Sequence, residues 1–597
     1  MRPSLIALLF VLALTSSAAG LSCSAGTTPE GGSNSGANNN SGGSNSGADG
    51  FGAGNLGGNS GCDVTCSPDL HAVLDCNGGI VEQCSGSQGC NAETGTCTNA
   101  CEAAVQNESS VGCEYYATFM DQLFGDSVCF AAFVANTWDT PVHVTVEYQG
   151  ADLPVGNFLY TASGSGPSQT YTPVDPAAGI PPGEIGIMFL SGSSGGIVPC
   201  PANAAVVSGA QITATSGVGS SFRISSDVPV VSYQMNPYGG GSAATTAASL
   251  LLPTSVWGTN YIGANAGYTV PLIGTNASMN IVAKDDATTV TMVPVSAIAG
   301  GGTLPAGAAN TPYTFTLDRG QQAQFTQPAG LMGSVISSDK PIGVMAGNNC
   351  QRIPIEAEAC DHGEQMIPPI SALGSEYVGV MHRPRQGEPA IWTLVGAIDG
   401  TQLTWTPDVG GPTTINRGQI VEIITGTPFV VKAQDDDHPF LFFHSMSSCW
   451  WSQMPTAGGA CWGDPDWVIG VPPKQYDYRY VFFADPTYPE TSLVLVRSKP
   501  NGAFADVTLD CLGVVPSWTA VGDYEWARVD LSTGDFQPVG GCATGRHEIS
   551  STAPFGLWVW GWGAPGTSVP TEAVSYGFPG GMRVKSINTV IIPPVPE

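Results

Sequence analysis

From Gly112 onward, apolar residues come in short runs rich in Val, Thr, Ile, Phe and Tyr, separated by Gly, Pro, Asp and Asn. No stretch keeps a 3.6-residue period over three turns, so amphipathic helices are not expected to build the core. Short β-rich runs bounded by turn residues predict an all-β body. Several runs read as hairpins: FAAFVANTWDTPVHVTVE at 130–147, NIVAKDDATTVTMV at 280–293 and TLVGAIDGTQLTWT at 393–406. Asp139, Asp286 and Gly400 stand at their bends, where turn geometry favours Asp and Gly.

The runs repeat. FRISSDVPVVSY at 222–233 returns as SVISSDKPIGVM at 334–345, more loosely as VVKAQDDDHPFLFF at 430–443, and again as EISSTAPFGLWVW at 548–560. The marker prolines Pro229, Pro341, Pro439 and Pro554 are spaced by 112, 98 and 115 residues. After each of the first three markers a proline and a tyrosine stand eight apart: Pro253 with Tyr261, Pro369 with Tyr377, and Pro472 with Tyr480. A repeat in fixed phase predicts one supersecondary unit used several times, here four units of about 100 residues across 112–582. Two architectures fit. A β-propeller-like ring would use about two blades per unit and protect its edge strands by closure, and it is the favoured expectation because no Pro/Ser linkers separate the units. The alternative is four tandem β-sandwiches, each with its own core.

The start of the chain reads differently. Arg2, the apolar run Leu5 to Leu14 and the small residues Ser17 to Gly20 form a secretory leader over residues 1–22. Cys23 follows Gly20-Leu21-Ser22, a partial match to a lipobox, which makes Cys23 the candidate for lipidation. From Gly31 to Gly61, 25 of 31 residues are Gly, Ser or Asn, so 24–61 is expected to be a disordered stalk. At 38 residues its root-mean-square reach is ~35 Å. Residues 62–111 hold Cys62, Cys66, Cys76, Cys84, Cys90, Cys97 and Cys101, with Cys113 just beyond, a small disulfide-rich domain whose spacings do not suit zinc. Residues 583–597 are left as a C-terminal tail.

Charge narrows the partners. With 18 Lys and Arg against 48 Asp and Glu, the net charge is −30 and no basic cluster exists, which excludes nucleic acid and leaves a lipid anchor as the only expected membrane contact. The 17 cysteines become an even 16 if Cys23 carries lipid, as an exported protein in an oxidising compartment would prefer. In the body, position relative to the markers pairs Cys350 with Cys360, Cys449 with Cys461, Cys511 with Cys542 and Cys129 with Cys200. One loop is thus stapled in two successive units.

The run CDHGEQ at 360–365, followed by Pro368, Pro369, Gly374 and Tyr377, together with the SSDKP marker before it and FGLWVWGWG at 555–563 and SYGFPGG at 575–581, resembles the IgGFc-binding protein N-terminal domain family. The resemblance spans about residues 112–582 and implies an extracellular, non-catalytic module of secreted and cell-surface proteins. The leader, stalk and cysteine-rich segment are similar to those of exported myxobacterial proteins. Immunoglobulin is not carried over as a ligand, because no residue here points to it. Gly463-Asp464-Pro465-Asp466 is a near miss to a Gly-Asp-Pro-His self-cleavage motif of relatives and, lacking its His, reads as a turn.

Candidate chemistry is sparse. No catalytic residues are assigned: a G-x-S-x-G elbow between strand and helix is missing, and thiols in an oxidising compartment become bridges. His362 and His444 read as structural histidines. No cofactor or metal ligand set is assigned, although the turn acids Asp285-Asp286 and Asp435-Asp436-Asp437 permit calcium. Trp450, Trp451, Trp462 and Trp467, in and beside the third unit's stapled loop, are the candidate ligand-binding residues, since flat rings give contact area at low entropic cost. The leading expectation is an exported, outer-membrane or secreted recognition and adhesion protein that binds a protein or glycan partner. The competing readings are a secreted propeller enzyme acting on polysaccharide and a structural component of an extracellular matrix or outer-membrane assembly.

Overall fold

The computed structural model describes residues 64–595, apart from 242, 266–274, 358, 386, 389 and 450–459. The leader, Cys23, the stalk, Cys62, Trp450 and Trp451 lie outside the described residues.

Residues 64–99 form a three-stranded sheet (Thr65–Cys66, Ala72–Leu74, Ile80–Gln83) and a hairpin (Gln88–Asn91 with Thr96–Asn99). Their hydrophobic core is only Val73, Cys84 and Cys90, so the bridges Cys66–Cys90 and Cys84–Cys97 supply cohesion that burial cannot. Cys76 is also disulfide-bonded. Helix Ala100–Asn107 follows, its first free N–H groups satisfied by the Asn99 side chain. Cys101–Cys113 ties that helix to the first strand of the body, and Trp138 of the body donates from Nε1 to Gly86 O at 2.7 Å.

The body consists of four two-layer repeats, with strands spanning 111–251, 258–367, 376–469 and 477–579. Propeller blades do not form. A blade is a single four-stranded sheet, whereas each repeat folds in two layers, and in three of the four one long strand serves both. In the second repeat, Val335–Gln351 pairs at its start with Thr288–Val293 and Gly258–Ile262, then with Ala277–Ala283 and Asp361–Ile367. The fourth repeat does the same with Gly545–Trp562, and the first with Phe222–Asn236. In the third, the corresponding strand is interrupted at 434–439, so Phe429–Ala433 and Phe440–Met446 fall into two separate four-stranded sheets. Strands with one wet face alternate, as in Thr288–Val293 and Tyr313–Leu317. The second repeat encloses a private core around Met279, Ile281, Phe315, Phe325 and Val344, and the third one around Trp392, Leu394, Phe429 and Phe442.

The recurring proline marker is the crossing point between layers. Register shifts between Ser225 and Val230, and across the marker segments before Ile342 and Phe555, insert extra residues that bend the strand. A buried tyrosine latches each bend from within. Tyr115, Tyr261 and Tyr377 donate to the carbonyls of Val230, Ile342 and Phe440 at 2.6, 2.6 and 2.9 Å, and Tyr480 does so to Phe555. Each carbonyl belongs to the residue just after a marker proline. The same hydroxyls accept from Gly258 N, Gly374 N and Asp477 N at 2.9, 3.0 and 2.7 Å in the last three repeats. Burial raises these phenols, so they stay protonated donors. Each repeat also nests on the next at a glycine. A Cβ on Gly112, Gly258 or Gly374 would lie 2.5, 2.6 or 2.3 Å from Pro253, Pro369 or Pro472, so no side chain fits there.

The last strand of each repeat lies on the molecular axis. Ala247–Leu251, Asp361–Ile367, Asp466–Ile469 and Ser575–Pro579 touch in cyclic order, the fourth returning to the first. They are buried on both faces throughout. Gln365 crosses the axis, donating from Nε2 to Ala248 O at 2.9 Å and Gly577 O at 3.0 Å. Four sandwiches thus close into a ring. Residues 583–592 run along one end of it, bonding in turn to Gln475, Ser371, Ile370, Leu373 and Asn260 in the fourth, third and second repeats. The Met582 N–H donates to Ser110 Oγ at 3.0 Å and joins the end of the body to its beginning.

Candidate functional site

At the end of the axis opposite the latches, four connections lead from each repeat's preceding strand to its axial strand: 237–246, 352–360, 447–465 and 563–574, of which 242, 358 and 450–459 lie outside the described residues. Their bases are bonded to one another. Ser448 N donates to Ile353 O at 2.6 Å, and Ile353 N to Ser448 Oγ at 2.9 Å. Asp464 N donates to Ser575 Oγ at 2.9 Å, and Thr246 Oγ1 to Ser575 O at 2.6 Å. Asn236 Nδ2 approaches His362 Nε2 at 3.2 Å, completing the circuit. The structure joins Cys350 to Cys360 and Cys449 to Cys461 within two of these loops, Cys129 to Cys200 beside the first, and Cys511 to Cys542 in the fourth repeat. Each bridge closes its loop at the base and so lowers the entropy of the open chain.

What lies beneath the rim is polar. Asp361, Glu364, Asp464, Asp466 and Asp485 are buried among the loop bases and axial strands. Burial pushes Asp464 up to about 7 and Asp485 to about 6. Burial, reinforced by Asp464 and Asp466, lifts Asp361 well above the usual carboxylate range, and burial lifts Asp466 and Glu364 as well. Asp121, bonded to Ala214 N and Asn349 Nδ2, is raised by burial to about 6. Neutral carboxyls are cheaper to bury than charged ones, which is why a plug of acids can sit here at all.

The Arg385–Glu388 pair under the rim stays charged. Arg385 grips Glu388 with Nε at 2.7 Å and Nη2 at 2.5 Å, both side chains fully buried, and donates onward to the Trp462 and Ser447 carbonyls at 2.7 and 2.6 Å. Burial alone would raise Glu388, but Arg385 and His382 outweigh it and hold the carboxyl well below its ordinary range. His382 contacts Glu388 Oε1 at 2.6 Å and His444 Nε2 at 3.2 Å. Burial lowers both imidazoles, so they are neutral, stacked between Trp392 and Trp560. Ser447 Oγ donates to Glu388 Oε2 at 2.8 Å rather than to a histidine, and the cluster is sealed from solvent, so it anchors a loop and presents no nucleophile.

The candidate residues divide accordingly. Trp467 is 2% exposed and packs on Phe443 at 4.5 Å in the core between the second and third repeats, so the expectation that it faces a ligand is corrected. An axial strand covered on both faces leaves it no route to the surface. Trp462 is partly buried at the loop base and lends its carbonyl to Arg385. The turn acids are engaged: Asp286 caps Arg319 N, Asp435 holds His438 Nδ1 at 2.6 Å, and Asp436 meets Lys474 Nζ at 2.5 Å. Among the described residues the one grouping with metal-like spacing is Asp510, Cys511 and His547. Its sulfur is committed to Cys542, and His547 Nδ1 is bonded to Asp510 at 2.9 Å. The Arg385 cluster has no signal in the sequence beyond MHRPR at 381–385, which sets two of the chain's 18 Lys and Arg within three residues.

A family model described as IgGFc binding protein matches residues 247–561. An IgGFc-binding protein of Homo sapiens is 24% identical over 255 residues, covering 41% of this chain and 4% of that relative, so the similarity concerns a small part of the relative's length. No solved structure matches.

Proposed function

Because this chain belongs to the IgGFc binding protein family, we propose that it is a non-enzymatic recognition protein that holds an extracellular protein partner on its loop rim. The observation that carries this reading is the convergence of four inter-strand loops at one end of the ring, two of them stapled, over a floor of buried polar groups. Bridges and hydrogen bonds fix the described bases of these loops, which lowers the ordering cost of binding on them. The seven bridges between described cysteines fit an oxidising, extracellular setting. No described helix is long and apolar enough to cross a membrane.

The finer picture is adhesion at a cell surface, with lipid on Cys23 and a stalk holding the ring clear of the membrane, and with protein or glycan as partner. The intact mass of the N-terminal peptide from cell-associated protein tests the anchor: acylated Cys23 is expected, and an unmodified, cleaved start contradicts it. The partner reading is tested by immobilising the full chain and measuring retention of purified Fc fragment and of a panel of secreted glycoproteins. Ile355, half-exposed at the tip of the stapled second loop, and Ile591, exposed on the segment at the opposite end, give matched variants. Retention that falls with Ile355→Asp and not with Ile591→Asp supports the rim; the reverse, or no retention of any probe, contradicts it.

A further inference from the structure

The seams between repeats are not equally filled. Between the second and third repeats, Ile262, Ile367, Ile391, Phe443 and Trp467 pack into a continuous core. At the closing seam, where the fourth repeat meets the first, Phe133 and Phe483 touch at 5.0 Å and Gly166 N donates to Pro486 O at 2.9 Å. Beside these contacts lies a cavity of about 180 Å³. A single water needs only ~10–15 Å³ of such space, so the cavity holds several waters or one six-membered ring with its substituents.

Its lining is divided by chemistry. Phe483, Ile185 and Ile187, all nearly or fully buried, form an apolar wall, while Ser163, Glu184 and Arg546 supply a polar edge. An acceptor-only carboxylate, a donor-only guanidinium and a hydroxyl that does both suit a ligand whose own groups donate and accept, which is the chemistry of ring hydroxyls. The opposed charges of Glu184 and Arg546 select against a strongly anionic or cationic guest. Arg546 carries a further mark. Its Nη2 donates to Glu548 at 3.0 Å, but its Nε–H is buried with no hydrogen-bond partner. That N–H is closed off even from water, so a guest meets the guanidinium at its other nitrogens.

We propose that this cavity at the seam between the first and fourth repeats binds one neutral pyranose, the terminal sugar of a glycan, at a site separate from the loop rim. The apolar wall takes the ring's C–H face and the polar edge takes its hydroxyls. The site does not rest on the rim reading, and either can fail without the other.

Saturation-transfer NMR on the full chain with free methyl glycosides of mannose, galactose, fucose and N-acetylglucosamine tests it, with the charged methyl glycoside of sialic acid as comparator. A single sugar of this size implies a dissociation constant on the order of a millimolar. At least one neutral glycoside is expected to receive saturation, and the sialoside none. Arg546→Gln and Ala162→Phe, the second filling the cavity from its partly buried lining, should each weaken the signal at least about tenfold, with unfolding midpoints tracked alongside. No saturation of any neutral glycoside, or a signal that survives Ala162→Phe in folded protein, overturns the proposal.

Discussion

The two ends of the ring are built on opposite principles. At the latch end the same device recurs in every repeat: a marker proline, a bent strand, and a buried tyrosine hydroxyl closing onto the carbonyl just past the proline. At the loop end no two repeats agree. One loop is stapled over ten residues, another over twelve, and the first and fourth lack an internal bridge among the described residues. The latch end repeats its tyrosine hydrogen bonds and glycine–proline contacts, while the loop end is organised by buried carboxyls and the fully buried Arg385–Glu388 pair. Repetition marks what the architecture needs, and divergence marks where the molecule is free to specialise.

The largest expected effect comes from breaking the loop end's ion pair. Arg385→Ala strands the Glu388 carboxylate in the interior and should cost ~3–5 kcal/mol in denaturant unfolding. Replacing both partners, Arg385→Met with Glu388→Leu, should recover most of it; a double variant as unstable as the single would contradict this account. At the latch end, Tyr261→Phe and Tyr377→Phe each take the hydroxyl partner from a backbone N–H and a buried carbonyl and should cost ~1–3 kcal/mol apiece. Similar losses at the two positions are the signature of a repeated device, and a large loss at only one would break the comparison. Asn588→Ala, which frees the carbonyls of Ile370 and Leu373 from the C-terminal segment, should cost ~1–2 kcal/mol, read as a lowered unfolding midpoint.

The smallest effect is a pH slope confined to the loop end. Asp464 and Asp485 are raised by burial to about 7 and about 6, above the ~3.9 of an unfolded Asp. The native state therefore holds protons that the unfolded chain releases, and this stabilisation is full below about pH 4 and lost as pH rises through 6 and 7. Unfolding midpoints should fall between pH 5 and 8, and Asp464→Asn should flatten that fall. The latch variants should leave the slope unchanged.

These contrasts explain what could be read before the structure was known. The all-β class followed from short β-rich runs bounded by turn residues, the family from CDHGEQ at 360–365 with the motifs around it, and the fourfold repeat from the runs around Pro229, Pro341, Pro439 and Pro554, because a bend that serves two layers demands the same short sequence each time. The choice between blades and sandwiches did not follow, because local sequence states that a strand bends but not that its two halves join different layers. Tyr115 escaped notice because no proline stands eight residues before it, although it does the work of Tyr261 and Tyr377. Trp467 was misplaced for a related reason. Its neighbours in sequence belong to a loop, but its strand is clasped between two repeats more than a hundred residues apart.

The central claim is that the variable end binds and the repeated end builds. A photoreactive residue installed in place of Ile355, and separately in place of Ile591, tests it in the full chain exposed to extracellular proteins. The account predicts cross-linked partner at 355 and none at 591. Cross-linking at 591 alone, or equally at both, would contradict it.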